Sequence, residues 1–301
     1  MSVSRFRLAV ASSRQFPTVH QDDVHLLATL NRLGVETTVC VWNDPHVDWT
    51  SFDAVLIRTI WDYFEHYTAF CAWLDMLDRL GVITINDTHT LRWNSDKRYL
   101  LELEQQGVPV IPTRVAQGGS LQETLSPMLE HDVVIKPTVS GGAWHTVRGK
   151  VGTADFQHAI EQLPNKLDYL VQPFVPEIAS HGEWSLMFFD NAYSHAVLKR
   201  PTTGDYRVQE QHGGRTDQAT PDDHIVKAAS KTLAATAALG HRDLAYARVD
   251  GVVANGQFLV MELEVIEPSL FLTGRPEAAE RFAQLLVERL QSLPSEARRL
   301  G

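Results

Sequence analysis

The sequence predicts an α/β protein that begins with a small parallel sheet and continues into antiparallel hairpins. Over the first 85 residues, short apolar runs alternate with amphipathic segments, which is the pattern of strand–helix–strand units. Glycine ends two of these amphipathic segments, at Gly34 and Gly81, as it does at many helix C-termini. In the last third, strand-like runs are joined by a turn dipeptide, Asp190-Asn191. A length of 301 residues fits about two such structural units.

Each predicted element rests on hydrophobic periodicity bounded by turn or capping residues. The predicted strands are residues 8–11, 37–42, 54–58, 82–85, 133–136 and 169–175, two strands around Asp190-Asn191, and a hairpin across 246–271. The predicted helices are residues 22–34, 67–80, 96–106, part of 151–168, 225–239 and 276–293. Parallel α/β sheets bind ligands at the carboxyl ends of their strands, so the polar segments there are candidate binding loops.

Composition and charge limit the classes of function. The chain is 44% hydrophobic and 21% charged, typical of a globular protein, and its formal net charge is −10. Proteins that bind nucleic acid or anionic membranes are more often basic, so neither partner is expected. No apolar run approaches about 18 residues, and the apolar part of the N-terminus is too short for a signal peptide. These features predict a cytoplasmic protein.

The segment VVIKPTVSGGAWHTV, residues 133–147, carries the first indication of chemistry. Lys136 ends an apolar strand, and burial of its ammonium is costly unless an anion meets it. The small residues that follow, Ser140, Gly141 and Gly142, can bring backbone N–H groups around a phosphate. This combination indicates a nucleotide triphosphate. The small residues also predict a loop that becomes ordered when nucleotide binds.

Three carboxylates are expected to converge in the hairpin near the C-terminus. Glu262 and Glu264 are two residues apart on one strand and share a face, and Asp250 lies on the other strand. A two-residue turn at Asn255-Gly256 would place Asp250 on the opposite face, so convergence requires a longer loop or a bulge. Oxygen ligands of this kind suit magnesium, which bridges to phosphate oxygens. The alternative is a solvated acidic face.

Basic residues complete a set suited to phosphoryl transfer. Lys97 begins a helix and Lys136 ends its strand. Three arginines flank a polar loop, and these are Arg200, Arg207 and Arg215. Each lysine taken alone is better explained as a surface residue, but two lysines, a small-residue loop and an acidic triplet are together the parts that phosphoryl transfer needs. The GxxxxGK[ST] loop, the GxSxG elbow and cysteine zinc spacings do not occur in the sequence.

Several segments together resemble the ATP-grasp ligases, with prokaryotic glutathione synthetase as the nearest general relative. They are VVIKPTVSGGAW, YLVQPFVPEIASHGEWSLMFFD, LKRPTTGDYRVQEQHGGR, and ARVDGVV with FLVMELEVIEPS, and the similarity covers about residues 95–290. The N-terminal VLIRTIWDYFEHYTAF and RWNSDKRYLL resemble the O-ureido-D-serine cyclo-ligases of the cycloserine pathway. The resemblance implies an ATP-grasp fold with an N-terminal parallel-sheet domain, residues 1–92, and two lobes that clasp ATP, residues 93–172 and 173–301.

The resemblance also implies site residues, by position in the matching motifs. The ATP-binding residues would be Lys97, Lys136, Ser140, Gly141, Gly142, Gln172, Phe174, Val175 and Glu183. The ligands of two magnesium ions would be Asp250, Glu262 and Glu264. The catalytic residues would be Arg215, which stabilises the acylphosphate and the intermediate that follows, with Lys136 and Arg200.

Three positions depart from the family pattern. Glu264 stands where many relatives have asparagine, which adds negative charge to the expected metal site. Ser185 stands where glutathione synthetase has an arginine, which argues against glutathione synthesis. The segment VIEPSLF differs from the glycine- and threonine-containing segment of peptide-forming relatives.

Substrate contacts are expected in the N-terminal loops and in the polar loop of the last third. Arg58 and Asp62 follow the third strand, where a guanidinium and a carboxylate can hold the charged groups of a small amino-acid-like molecule. Arg207 is the third expected substrate contact. The alternative is that Arg58 and Asp62 pair with each other and fix Trp61 against the core.

The expected reaction is the ATP-dependent activation of a carboxylate as an acylphosphate, which an amine nitrogen then attacks. The preferred substrate is a small amino-acid derivative whose own nitrogen closes a ring. An intermolecular amino-acid or dipeptide ligase is the alternative, followed by a small-molecule kinase and a non-catalytic nucleotide sensor. The expected cofactors are ATP and two Mg²⁺, and the expected assembly is a homo-oligomer, a dimer or a tetramer.

Overall fold

The computed structural model describes residues 6–202, 207–208 and 213–294, so part of the polar loop after Arg200 lies outside the described residues. The strands are β1 (Phe6–Ser12), β2 (Val35–Val41), β3 (Ala54–Thr59), β4 (Thr84–Ile85), β5 (Arg114–Ala116), β6 (Asp132–Pro137), β7 (Val147–Lys150), β8 (Tyr169–Pro173), β9 (Glu183–Phe189), β10 (Ala192–Arg200), β11 (Arg215–Ala219), β12 (Tyr246–Ala254) and β13 (Gln257–Glu264). The helices are α1 (Val24–Arg32), α2 (Tyr67–Arg79), α3 (Thr88–Ser95), α4 (Tyr99–Gln105), α5 (Leu121–Leu125), α6 (Ala154–Glu161), α7 (Glu177–His181), α8 (Asp223–Ala238) and α9 (Pro276–Ser292).

The N-terminal sheet is parallel, in the order β2-β1-β3-β4, as the strand–helix alternation predicts. Every residue of β3 is buried, which is the expected state of a central strand with helices on both faces. The apolar part of β3 packs into two cores, with Leu56 on one face of the sheet and Ile57 on the other. Arg58 is part of the same buried strand, so its guanidinium requires partners inside the protein.

The central sheet is antiparallel, in the order β5-β8-β6-β7, and α6 covers one face. Alternation along β6 turns Val133 and Ile135 into the core formed with Phe156 of α6. The intervening residues, Val134 and Lys136, therefore lie on the opposite face of the sheet, because successive side chains of a strand point to opposite sides. That face borders a large cleft.

The C-terminal sheet is antiparallel, in the order β11-β10-β9-β12-β13. Asp190 and Asn191 join β9 to β10 with φ angles of 51° and 60°, as a tight hairpin turn requires. The last helix, α9, returns to the N-terminal part of the fold, since its Phe282 and Leu286 share a core with Leu26 and Leu30 of α1. The ring of Phe282 also stacks on Phe189, with centroids 4.5 Å apart.

Helix α3 is an element that the sequence analysis did not predict. Asp87 caps its N-terminus by accepting a hydrogen bond of 2.8 Å from the Thr90 amide. Its buried residues are mostly polar, and Asn94 uses its side-chain amide to bind the backbone of Leu263 and Val265. The apolar stripe that marks an amphipathic helix is therefore weak, and periodicity gave no signal.

The predicted α/β class with a parallel N-terminal sheet is confirmed. The boundaries after residues 92 and 172 stay a prediction, although the three sheets do follow one another along the chain. Within the described ranges, no helix is long and apolar enough to cross a membrane.

Candidate active site

A cleft of about 1000 Å³ lies where the three sheets meet. The loops after β1 and β3 form one end of it, through residues such as His20 and Trp61. The central sheet contributes Lys136 and the segment 140–144, and the C-terminal sheet contributes its face of charged side chains. The predicted site residues on the cleft wall are Lys97, Lys136, Ser140, Gly141, Gly142, Gln172, Phe174, Val175, Glu183, Arg207, Asp250, Glu262 and Glu264.

The hairpin that carries the acidic residues is irregular. Asp250 pairs with Glu262, but Gly251 pairs with Val260, so Met261 is an extra residue on β13. This bulge brings Asp250 onto the face of Glu262 and confirms the irregular hairpin that convergence required. Gly251 is needed beside the bulge, because a Cβ there would lie 2.4 Å from the Phe258 ring.

Each carboxylate of the hairpin is neutralised by a basic side chain. Glu262 pairs with Lys97 at 3.0 Å, and Glu264 pairs with Arg248 at 2.5 Å. Asp250 accepts from Arg248 at 2.9 Å and lies 3.4 Å from Lys199. The acidic residues therefore face a cleft with cations between them, which is the arrangement that offsets their mutual repulsion.

The pKa values follow from this arrangement of charges. Burial opposes ionisation of Asp250, but Arg248 and Lys199 outweigh it and hold the pKa of that carboxyl at about 2. Burial raises the pKa of Glu264 to about 8; Arg248 acts against this rise, and the neighbouring charges of Glu262 and Asp250 add to it. On the cleft side of the β12–β13 hairpin, Asp250 is therefore ionised. Glu264 takes up a proton at a higher pH than Asp250 does.

Lys136 is the cation of the cleft with the least compensation. Among the described residues its ammonium makes neither a hydrogen bond nor an ion pair, and burial lowers its pKa, although the negative charge of Glu262 acts in the opposite direction. Lys97 differs, because it donates to the Ser140 carbonyl as well as pairing with Glu262. An unpaired ammonium on a cleft wall is suited to an anionic ligand such as a phosphate.

The small-residue segment after β6 is packed against the N-terminal sheet. Gly141 lies against the ring of Phe64, and the Trp144 ring is 5.5 Å from the same ring. Ser140 donates to the Pro137 carbonyl at 3.0 Å and receives the Lys97 ammonium. The segment is therefore held by contacts with Phe64 and Lys97, which its own small residues did not predict.

The expected adenine and ribose residues lie along the strand junction between the central and C-terminal sheets. Gln172 donates to Thr113 at 2.8 Å, and the Arg148 guanidinium lies 3.3 Å from the centroid of the Phe174 ring. Burial raises the pKa of Glu183, and Lys199, 2.5 Å away, acts in the opposite direction. This part of the cleft combines an aromatic ring, backbone groups and a buried ion pair.

Two of the predicted catalytic arginines lie outside the cleft. Arg200 and Arg215 pair across β10 and β11, and both are exposed beside Asp217. Thr216 and Lys199, their sequence neighbours, line the cleft instead. The side-chain period of two therefore turns Arg200 and Arg215 to the other face of the sheet, and the prediction that they face the reacting groups is corrected.

Two predicted substrate residues also lie elsewhere. Arg58 is 1% exposed, and its Nε donates to Asp23 at 2.8 Å rather than to a group in the cleft. Asp62 accepts from the Trp42 indole at 2.8 Å, and Trp61 donates to the Glu267 carbonyl. Neither Arg58 nor Asp62 lines the cleft, and the alternative Arg58–Asp62 pair is not formed, because the partner of Arg58 comes from the loop after β1.

The sequence analysis missed two basic residues of the cleft, Lys199 and Arg248. Arg248 is two residues before Asp250 on β12, and Lys199 faces Glu183 across β9 and β10. The two-residue spacing in Arg248-Val249-Asp250 could have revealed Arg248, since both side chains must share a face. The sequence does not indicate Lys199 in this way, because its position opposite Glu183 depends on the register between β9 and β10.

The cleft fits magnesium by its donor set rather than by a preformed cage. Among the described residues, no three His, Cys, Asp or Glu side chains stand close enough to hold a metal ion. The carboxylates of Asp250, Glu262 and Glu264 nevertheless line one cleft and offer the oxygen ligands that magnesium prefers. Lys97 and Arg248 occupy these oxygens in the present arrangement.

Comparison with known proteins agrees with this geometry. The chain is 35% identical over 297 residues to the cycloserine biosynthesis protein DcsG of Streptomyces lavendulae, and the match covers 94% of this chain and 99% of the relative. The chain belongs to the ATP-grasp ligases. It is accordingly an ATP-dependent carbon–nitrogen ligase, which confirms the fold family and the reaction class that the motifs predicted.

Three further comparisons place the ligase within that family. The family described as "D-cycloserine synthetase DcsG, N-terminal domain" matches residues 8–86. A crystal structure of D-cycloserine synthetase DcsG superposes with a TM-score of 0.84 at 34% identity and covers 94% of the ligase and 99% of that chain. A glutathione synthetase of Ralstonia nicotianae is more distant, at 23% identity over 87% of the ligase and 82% of the relative.

Proposed function

We propose that the ligase closes a ring by joining a carboxylate and a nitrogen of the same small amino-acid derivative. The observation that carries this proposal is the relationship to a cycloserine biosynthesis protein over nearly the whole of both chains. The matching N-terminal family spans β1 and β3, whose following loops form one end of the cleft. We infer a substrate similar to an O-ureido-serine.

The reaction proceeds in two balanced steps. A carboxylate oxygen of the substrate attacks the γ-phosphorus of ATP, ADP leaves, and an acylphosphate forms. The substrate nitrogen then attacks the carbonyl carbon, the C–O bond to phosphate breaks, inorganic phosphate leaves with the electron pair, and the nitrogen loses a proton. Both steps bring negative groups together, so neutralisation of charge and positioning supply most of the catalysis.

The basic residues of the cleft divide this work. Lys136, which has no ion pair among the described residues, and Lys97 meet the phosphates of ATP. Arg248 takes the role first assigned to Arg215, because its guanidinium lines the cleft between Asp250 and Glu264. It stabilises the acylphosphate and the tetrahedral intermediate that follows.

Asp250, Glu262 and Glu264 would hold magnesium, and we infer two ions. When bound there, magnesium would neutralise part of the negative charge of the phosphates. Lys97, which pairs with Glu262 at 3.0 Å, would donate to phosphate once that carboxylate has another counter-charge. Glu183 holds the ribose, and the segment from Gln172 to Val175 holds adenine.

The partners, location and assembly of the ligase are also inferred. We infer a small-molecule substrate, no nucleic-acid partner, a cytoplasmic location and a homo-oligomer, a dimer or a tetramer. The negative formal charge of −10 supports the absence of polyanionic partners. Light scattering of the purified chain tests the oligomer.

A panel assay tests the proposed function. The protein is incubated with ATP, magnesium and amino-acid derivatives that include O-ureido-serine, phosphate release is measured, and products are identified by mass spectrometry. A cyclic product from one substrate supports the proposal, and a dipeptide points to an intermolecular ligase. Hydroxylamine traps the acylphosphate of a ligase, whereas a phosphorylated alcohol that hydroxylamine leaves intact indicates a kinase.

A further inference from the structure

The segment that follows β13, residues 267–273, forms one wall of the cleft and is called the 267–273 loop below. Side chains alternate along it, with Ser269, Phe271 and Thr273 lining the cleft and Leu270 and Leu272 buried in the core. Glu262 and Glu264 on the preceding strand β13 are the carboxylates proposed to hold magnesium. The position of this loop therefore influences the width of the cleft beside Glu262 and Glu264.

Side chains of the N-terminal sheet hold the backbone of this loop. Asp22 accepts hydrogen bonds of 3.0 Å from the amides of both Leu270 and Thr273. Arg58 donates through Nη2 to the Pro268 carbonyl at 2.9 Å. These contacts join residues more than 200 positions apart in the chain, so they exist only when the N-terminal and C-terminal parts are assembled.

Two side chains of the C-terminal sheet hold the same loop from the other side. His195 binds the Leu270 carbonyl at 2.8 Å, and Arg248 donates through Nη1 to the Ser269 carbonyl at 3.1 Å. Phe271 has φ = 50°, a left-handed conformation that a bulky residue adopts only where its surroundings impose it. The loop is therefore clamped on both flanks of a strained residue.

Arg58 and Asp22 form one buried unit. Asp22 is 7% exposed, and its neighbour Asp23, which is 1% exposed, receives the Nε of Arg58. Burying these charges is costly, and Asp22 directs both carboxylate oxygens to amides of the loop. These buried charges hold the backbone of the 267–273 loop, which forms one wall of the cleft.

We propose that Asp22 and Arg58 are positioning residues of the ligase, which act through the 267–273 loop and do not touch the substrate. They hold the cleft wall, and the Ser269 carbonyl then orients the guanidinium of Arg248 beside Asp250 and Glu264. The N-terminal sheet in this way fixes the catalytic arginine of the C-terminal sheet. The kinetic part of this inference rests on the proposed function.

Asp22→Asn tests the inference with little change in shape. The NH2 group of the new side chain cannot accept a hydrogen bond, whereas its carbonyl oxygen still can, so one of the two loop amides loses its partner. We expect kcat/KM for the carboxylate substrate to fall about tenfold to a hundredfold, the range for one charge-assisted contact, while KM for ATP changes less than about twofold. The matched control is Asp48→Asn, since Asp48 accepts from the Thr50 amide at 3.0 Å in the same sheet domain but does not line the cleft.

Amide hydrogen exchange of the unliganded protein separates this inference from the proposed function. We expect faster exchange at Leu270 or Thr273 in Asp22→Asn and no change there in Asp48→Asn. Arg58→Lys, which keeps the charge but loses the fork that reaches both Asp23 and Pro268, is expected to lower substrate kcat/KM in the same direction. If the wild-type protein acts on no substrate of the panel, the proposed function fails. Amide hydrogen exchange at Leu270 and Thr273 then tests by itself whether Asp22 holds the loop.

Two results would overturn the inference. One is unchanged exchange at both amides together with unchanged kinetics in Asp22→Asn. The other is a rise in KM for ATP as large as that for the carboxylate substrate, in step with a loss in melting temperature, because that pattern belongs to a residue that only supports folding.

Discussion

Gly141 lies so close to Phe64 that a Cβ on the glycine would stand 2.6 Å from Cε1 of the ring. Gly141 belongs to the central sheet's cleft loop, and Phe64 follows β3 of the N-terminal sheet. The glycine is required here by space, and this contact joins the expected phosphate loop to the domain expected to bind substrate. The Trp144 ring also contacts Phe64, with ring centroids 5.5 Å apart.

Gly141→Ala is expected to raise KM for ATP about tenfold or more with little loss of stability. An added methyl forces the loop off the ring, and this movement relieves overpacking that would otherwise cost about 1–3 kcal/mol of stability. The movement displaces the loop that is expected to hold phosphate. Steady-state kinetics and thermal melting are the measurements. Gly149→Ala is the matched comparison, because its Cβ would meet Phe156 at 2.4 Å in a core away from the cleft and should lower the melting temperature instead. Phe64→Leu combined with Gly141→Ala should restore KM, and a failure to do so would contradict the packing explanation.

Glu262→Gln is expected to lower kcat by about a hundredfold or more, because the residue is proposed to hold magnesium. The variant also removes the charge that pairs with Lys97 at 3.0 Å, while it relieves repulsion from Asp250. These two effects oppose each other, so the melting temperature without ligand should change little. Phosphate release and calorimetry measure the two quantities. Glu104→Gln, on the exposed side of α4, is the control, and near-normal turnover in Glu262→Gln would remove the metal assignment.

Lys136→Met is expected to stabilise the unliganded protein and to weaken ATP binding. Burial lowers the pKa of this ammonium, so its charged form costs stability at every pH below the ordinary value of about 10.5. Replacing it with an apolar chain of similar length should raise the melting temperature by about 2 °C, for about 1 kcal/mol. Thermal shift with and without ATP and magnesium shows both effects. A lower melting temperature without ligand would contradict the conclusion that burial of the Lys136 ammonium costs stability.

His195 should make the protein less stable in mild acid. Burial lowers its pKa to about 4 from an ordinary value of 6.5, so the unfolded chain takes up a proton first as the pH falls. The contribution is present above pH 6.5 and is lost between about pH 6.5 and 4, with a loss of about 2 kcal/mol by pH 5. Denaturant unfolding at pH 7 and pH 5 measures this slope. His195→Gln should flatten it, whereas the exposed His158→Gln should leave it unchanged.

The sequence by itself determined the elements whose residues lie on one periodic face. Alternation placed Lys136 apart from Val133 and Ile135, and the spacing of Glu262 and Glu264 placed both on one side of β13. The need for an irregular hairpin was also a consequence of spacing, because a regular two-residue turn would place Asp250 on the face opposite Glu262. These features depend on neighbours within a few residues, so the local pattern contains them.

Only the tertiary structure decided which charges meet. Arg200 and Lys199 are adjacent in sequence, yet β10 turns Lys199 to the cleft and Arg200 away from it. Arg58 has the buried position of a functional arginine, but its partners are Asp23 and the Pro268 carbonyl, which lies 210 residues away. Helix α3 stayed hidden because its buried face is polar and is satisfied by β13. The physical reason is the same in each case: strand register and domain docking decide the partner of a buried polar group, and no single segment of the chain contains that information.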